Sequence, residues 1–262
     1  MKNFKLNKLS VIFVSLLLLI VFFSSIINIW EKRFKISSFL TERLSNSSSY
    51  DIDDLDVYWA KEILKGGYIL HFRHAERDKW IDVQMYDALE SDLHVNGFNE
   101  SRYAENDYFN GAVCLNERGK IQAKAIGESL KFIGLPIGTV YSSVSCRARQ
   151  TAELAFGGYD ELYRILVHRG PYNENENERI ESLKNLYSKF EEIEGKNIIV
   201  SAHNSVISCK MFINQKCPNS DLGSILRLEE GGFYVLRKSE NGLLFEHEFH
   251  NFNDFNKVFY KR

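Results

Sequence analysis

The sequence predicts an α/β fold, a three-layer α/β/α sandwich around a mainly parallel central sheet. Strand-length segments at 68–72, 138–143 and 197–202, the first and last of them rich in apolar residues, alternate along the chain with segments of helical period. Strands alternating with helices imply a parallel sheet covered on both faces. The composition, 44% hydrophobic and 26% charged over 262 residues, is that of a globular chain able to bury a substantial core.

The first elements in order are outside that domain. Residues 1–8 form a basic tail with Lys2, Lys5 and Lys8, and residues 9–30 then run roughly 22 positions without a charge. At about 1.5 Å per helical residue this segment is long enough to span a bilayer. It ends in Ile26-Ile27-Asn28-Ile29-Trp30 rather than in a small-x-small cleavage site, which predicts an uncleaved transmembrane signal anchor with Trp30 at the interface. Lys32, Arg33 and Lys35 nearly balance the N-terminal lysines, and the remaining bias places the tail in the cytoplasm and the bulk of the chain outside, periplasmic or extracellular. Residues 31–55 read as a polar tether, with Asn46-Ser47-Ser48-Ser49 and then Asp51, Asp53 and Asp54.

The domain proper is expected over 56–262. A helix over 57–65 stops at Gly66-Gly67, and the run Tyr68-Ile69-Leu70-His71-Phe72 delivers Arg73 and His74 at its end. An aromatic-rich insertion at 77–112, containing Trp80, Tyr86, Phe98, Tyr103, Tyr108 and Phe109, has no period and is placed over the strand ends. Asn116 is the expected N-cap of a helix whose apolar stripe is Ala123, Ile126, Leu130 and Ile133. A strand at 138–143, a helix at 147–156 closed by Gly157-Gly158, a helix at 178–194 and a strand at 197–202 follow. The remainder reads as a helix at 205–213 and strands at 224–228, 232–237 and 243–249.

A formal net charge of −2 excludes a global attraction to nucleic acid, so any affinity for anions is local. The four cysteines, Cys114, Cys146, Cys209 and Cys217, fit no zinc spacing and allow three disulfide pairings in an exported domain. Three strand ends carry comparable chemistry: Arg73-His74, the segment from Ser142 to Arg147, and His203-Asn204. In a parallel sheet such ends lie along one edge and converge on one ligand. Arginine offers a planar fork of donors that fits phosphoryl oxygens, and a histidine beside it can attack phosphorus or carry a proton. Arg147 also falls in the first turn of its helix, where free amides favour an anion.

On these residues the chain resembles the histidine phosphatase superfamily, the group that includes the cofactor-dependent phosphoglycerate mutases. Arg73-His74-Ala75-Glu76 is similar to its Arg-His-Gly-Glu signature. Leu115-Asn116-Glu117-Arg118-Gly119 resembles its helix entry, and Ser142-Ser143-Val144-Ser145-Cys146-Arg147-Ala148-Arg149-Gln150-Thr151-Ala152 its Ser-Ser-Pro-x-x-Arg-Ala-x-Gln-Thr-Ala segment. Val200-Ser201-Ala202-His203-Asn204 resembles the strand that carries its second histidine. The resemblance implies a phosphoglycerate mutase-like fold over about 57–250, His74 as the nucleophile of a phosphohistidine intermediate, and Arg73, Arg147 and His203 around the phosphoryl group. Arg77 completes an Arg-His-x-x-Arg pattern similar to the phosphate loop of the acid phosphatase branch. It also implies a carboxylic acid for the leaving alcohol, supplied by a loop after the second motif; Glu174 is the choice here and Glu176 the alternative.

Ala75 and Val144 stand where the family has Gly and Pro, and Arg77-Asp78-Lys79-Trp80 replaces the Ser-x-Trp-Asn of the glycolytic mutases. The expected activity is therefore hydrolysis of phosphate monoesters, with no cofactor and no metal. A phosphotransferase or mutase, or a weakly catalytic sensor of phosphorylated ligands, are the alternatives. The expected substrate is a small-molecule, glycan or lipid phosphate ester, and the membrane is met only through the N-terminal helix.

Overall fold

The computed structural model describes residues 53–78, 113–167, 175–214 and 228–260, all within the compact unit Ile52–Arg262. The basic tail, the apolar segment 9–30, most of the tether and most of the insertion at 77–112 lie outside the described residues. Among the described residues, no helix is long and apolar enough to cross a membrane.

Local signals set the element ends. Helix α1, Asp54–Glu62, begins where the Asp53 carboxylate accepts from the Leu55 amide, and it tightens into a 3₁₀ turn, Ile63–Lys65. Strand β1, Ile69–Arg73, follows. Helix α2, Glu117–Ile133, is capped by Asn116, whose side chain accepts from the Gly119 amide, and it closes on Gly134 in the left-handed conformation. Then come β2 (Ile137–Ser143), α3 (Cys146–Phe156), β3 (Glu161–Tyr163), α4 (Glu176–Lys189) and β4 (Asn197–Ala202). The hairpin β5 (Phe233–Ser239) and β6 (Gly242–Phe249) and helix α5 (Phe252–Phe259) complete the domain.

The strands form one sheet in the order β3-β2-β4-β1-β5-β6. The first four are parallel, whereas β5 runs antiparallel to β1 and β6 antiparallel to β5, so the sheet is mixed. Side chains alternate between its two faces with the period of two that a pleated strand imposes. Ile69, Ile198, Val200, Tyr234 and Leu236 join one core with Ile180, Leu183 and Tyr187 of α4. Leu70, Phe72, Ile199, Phe233 and Val235 join the other, with Ala60, Ile126, Leu130, Ala152 and Phe255 from the helices α1, α2, α3 and α5. Helices on both faces give the expected three layers and explain why β1 and β4 are mostly apolar, with His71, Asn197 and Ser201 as buried polar exceptions.

The expected helix at 205–213 is corrected to two 3₁₀ turns, Asn204–Val206 and Cys209–Met211. Ile207 and Ser208 between them are extended, which lets Val206, Ile207, Met211 and Phe212 all reach the core while Phe212 bridges to Leu243. The helix expected at 178–194 ends at Lys189, because Phe190 turns out of it to stack on Tyr141 with ring centroids 4.1 Å apart. The edge strand β3 and helix α5 have no counterpart in the sequence reading, and the strand expected at 224–228 falls almost wholly outside the described residues.

Candidate active site

Strands β2, β4 and β1 are neighbours and end at the same edge, with Arg73 opposite Ala202 and Ser142 opposite Ser201. The residues that follow each strand are thereby brought together, and the His74 amide donates to the Ala202 carbonyl at 3.0 Å. This edge, beyond the carboxyl ends of parallel strands, is where open α/β sheets bind ligands.

His74 is almost wholly buried, and its Nδ1 lies 2.7 Å from its neighbour's carbonyl, Ala75 O. A carbonyl only accepts, so Nδ1 carries the proton and Nε2 the lone pair. Burial holds the imidazole well below its ordinary protonation range; Arg147 and Arg73 act in the same direction, the Ala75 carbonyl opposes them, and Arg77 adds a smaller push. The ring is therefore neutral at neutral pH, with a nucleophilic nitrogen beside fixed positive charge.

Arg147 stands one residue inside the N-terminus of α3, is 1% exposed, and donates from Nη1 to the Val113 carbonyl at 3.4 Å. Its own carbonyl accepts from Thr151 Oγ, and that hydroxyl accepts from the Ala75 amide, which ties the loop after β1 to α3. Arg73 is fixed from the other side: Nη1 donates to the Leu228 carbonyl at 2.6 Å, and Nη2 pairs with Glu230 at 3.3 Å. Asn204 holds the same Leu228 by both its backbone groups, at 2.9 and 2.7 Å. Burial lowers the proton affinity of Arg73; Glu230 opposes this, and Arg147 adds to it. Two guanidinium groups close enough to repel one another, in a buried setting, form a site that an anion relieves. Arg77 donates to the Asp78 carbonyl at 2.7 Å, and its effect on His74 places it within electrostatic reach of the same site.

His203 is also buried, with its ring centroid 5.2 Å from that of His74 and the planes at 62°. Its Nε2 lies 3.1 Å from both the Ser143 and Ser145 hydroxyls. Ser145 is the N-cap of α3, so the second histidine is aligned by the turn that presents Arg147. That turn is braced covalently: Cys146, the first residue of α3, is disulfide-bonded to Cys114, with Cα atoms 4.8 Å apart. Cys209 is also in a disulfide.

The loop after His74 shows why the departures from the family signature are accommodated. Ala75 is fully buried, and it packs with Leu115 and Ala123 in space that a glycine would leave empty. Glu76 pairs with Arg118 and accepts from Asn116, while its carbonyl faces Gly119 so closely that a Cβ there would stand 1.9 Å from it. Only glycine lets the start of α2 approach this loop.

Of the residues singled out in the sequence, His74, Arg73, Arg147 and His203 are thus gathered at one edge, with Arg77 beside them. Glu174 lies outside the described residues. Glu176 opens α4, and its carboxylate pairs with Lys210 at 3.2 Å. The sequence reading gave no role to Ser143, Ser145, Glu230 or His71. A single ionisable residue inside an apolar strand was the available signal for His71; Glu230, in a turn of two glutamates, carried none.

Fold and site together define an α/β domain with an anion-accepting histidine–arginine centre. Residues 72–167 match the family model of the histidine phosphatase superfamily (branch 1). This stretch contains His74 and Arg147 and ends before His203, and the match supports that superfamily for the domain. No curated protein matches the chain. Among solved structures it is similar to Bacillus stearothermophilus YhfR, at 16% identity and a TM-score of 0.44 over 72% of this chain and 98% of that one. It is also similar to the protein histidine phosphatase SixA complexed with tungstate, at 14% identity and 0.42 over 69% and 95%. A third likeness is to the product of a Mycobacterium tuberculosis open reading frame, at 16% identity and 0.40 over 69% and 98%.

Proposed function

We propose that the domain hydrolyses phosphate monoesters through a phosphohistidine on His74. The observation that carries this reading is the state of His74: Nδ1 is committed to the Ala75 carbonyl, leaving the Nε2 lone pair beside Arg73 and Arg147. In the first step Nε2 attacks phosphorus and the P–O bond to the alcohol breaks, the leaving oxygen taking the proton of a carboxylic acid. In the second, water attacks the phosphohistidine, gives its proton to the carboxylate, and the P–N bond breaks to release inorganic phosphate. Arg73, Arg147 and Arg77 bind the phosphoryl oxygens, and His203 supports the charge that develops on them. Pre-set cations serve this chemistry well, since phosphoryl transfer depends on positioning and on neutralising oxygen charge.

Glu174 is the proposed proton donor. His74→Ala should reduce turnover of an aryl phosphate to background, on the order of 10⁴-fold or more, and abolish phosphoenzyme formation from labelled substrate. A folded variant with normal turnover ends the proposal. Glu174→Gln should slow an alkyl phosphate by about 10²- to 10⁴-fold and an aryl phosphate much less; equal losses on both remove Glu174 from the role.

The same reading places the domain outside the cytoplasm, held to the membrane by residues 9–30. The Cys114–Cys146 bridge supports an oxidising compartment, where disulfides persist. The substrate is then a phosphate ester of a small molecule, glycan or lipid met on that side. A periplasm-only reporter fused after Arg262 should be active in bacterial cells; an expressed but inactive fusion reverses the orientation.

A further inference from the structure

One buried ionisable group has no part in that mechanism. His71 lies in β1 three residues before His74, without exposed surface, on the sheet face covered by α4. Its Nδ1 is 2.6 Å from the Tyr187 hydroxyl of α4, and its Nε2 is 3.3 Å from the carbonyl oxygen of His203. Tyr234 of β5 stacks on the ring with centroids 6.1 Å apart. Because a carbonyl only accepts, the proton resides on Nε2, and Nδ1 must accept from Tyr187 O–H. Both nitrogens are thus engaged in one sense, and the tautomer is fixed.

The partner carbonyl is at a sensitive place. His203 is the first residue beyond β4, where the parallel ladder with β1 has ended at Ala202, and the same oxygen accepts from the Val206 amide at 3.4 Å. The direction of this carbonyl is set by ψ of His203, so holding it helps fix the backbone from which the His203 ring reaches Ser143, Ser145 and His74. An aliphatic side chain at position 71 would fill the same core but remove the N–H that the carbonyl accepts from and the nitrogen that accepts from the Tyr187 hydroxyl.

We propose that His71 is a positioning residue for His203, its Nε2–H clamping the carbonyl of the second histidine while Tyr187 holds the clamp in register. The proposal rests on the phosphatase reading of the same site. It assigns β1 and the residue just beyond it two histidines of different duty, one that reacts and one that aims its partner.

The test compares His71→Leu, His71→Gln and Tyr187→Phe in the full chain, with p-nitrophenyl phosphate as substrate and thermal unfolding as the check on folding. His71→Leu should lower kcat about tenfold or more with KM changed less than about twofold, because His203 supports the transition state while the arginines bind the ground state. His71→Gln offers an N–H to the carbonyl and an oxygen to Tyr187, so it should recover most of that loss; Tyr187→Phe should fall between. A folded His71→Leu with wild-type kcat overturns the proposal, as does a folded His71→Gln as impaired as His71→Leu. Should His71→Leu not fold, long-range ¹H–¹⁵N spectra of the wild-type protein decide: His71 protonated on Nε2 alone is expected, and the Nδ1–H tautomer overturns the clamp. Absence of any His74-dependent hydrolysis in the wild type counts against the phosphatase reading instead, while the tautomer still reports on the His71–His203 contact.

Discussion

His71 and His74 stand three residues apart on and just beyond one strand, both are buried, and burial is the largest cause of lowered proton affinity in each. They differ in what surrounds the second nitrogen. His71 has Tyr187 on one nitrogen and the His203 carbonyl on the other, and no charged group contributes to its shift, which brings it to about 4. His74 has, among the described residues, only the Ala75 carbonyl on Nδ1, and Arg147, Arg73 and Arg77 all press on it. Burial alone therefore does not mark a reactive histidine. The proposed role of His74 rests instead on a nitrogen left with its lone pair beside fixed cations.

Removing one of those cations breaks the comparison most directly. Arg147→Gln should lower kcat/KM by about 10²- to 10³-fold, the scale of losing a pre-set charge at a phosphoryl group. It should also raise the proton affinity of His74, since Arg147 is the largest charge opposing its protonation, and so move the acid limb of the pH–kcat/KM profile upward. The His71 resonances should titrate as before, because Arg147 has no part in its shift. An unmoved acid limb would show that burial alone sets His74. Arg147→Lys should recover little, as an ammonium lacks the planar fork.

A smaller effect is expected from the brace behind Arg147. Reducing the Cys114–Cys146 bridge, or replacing both residues by serine, loosens the first turn of α3 against the segment that carries the Val113 carbonyl. KM for an aryl phosphate should rise about three- to tenfold while His71 keeps its tautomer, since displacement of a positioning cation is felt first in binding. Unchanged kinetics after reduction confirmed by thiol titration would show that the hydrogen bonds of Asn116 and Gln150 hold the segment without the bridge.

These contrasts also explain what could be read before any geometry was known. Strand 197–202 was legible from its Ile198-Ile199-Val200 centre, since a strand covered on both faces is mostly apolar, and β4 spans Asn197–Ala202 as the sequence indicates; 138–143, where only Val140 and Tyr141 are large and apolar, was legible as a short stretch between two helices. Helix α2 was legible from Asn116, Gly134 and its stripe, all local signals. His74, Arg73, Arg147 and His203 were legible because each ends or follows a strand in a recognisable segment. The partners that tune them come from far along the chain: Glu230 meets Arg73 across 157 positions, and Tyr187 meets His71 across 116. No local period encodes such contacts. The stretch 205–213 misled for the related reason that buried residues there satisfy helical spacing, while the bridge to Leu243 and the packing of Met211 and Phe212 hold it in two short turns.

The smallest effect on catalysis at neutral pH, and the one that isolates His71, is on stability. In the unfolded chain this imidazole takes a proton near 6.5, whereas in the folded protein it does so only near 4. Between those values the unfolded state binds more protons, so stability rises with pH; the contribution is fully present above 6.5 and is lost as pH falls to about 4. The difference corresponds to about 3 kcal/mol, at about 1.4 kcal/mol for each unit. Urea unfolding at pH 7, 5.5 and 4 should show this loss superimposed on that of the other ionisable groups. His71→Gln, which has nothing to titrate, should flatten the dependence by a similar amount while leaving the His74 portion in place. Parallel curves for the two proteins would mean that His71 is solvated enough to protonate in the fold, and the distinction between the two histidines would then rest on the cations around His74 alone.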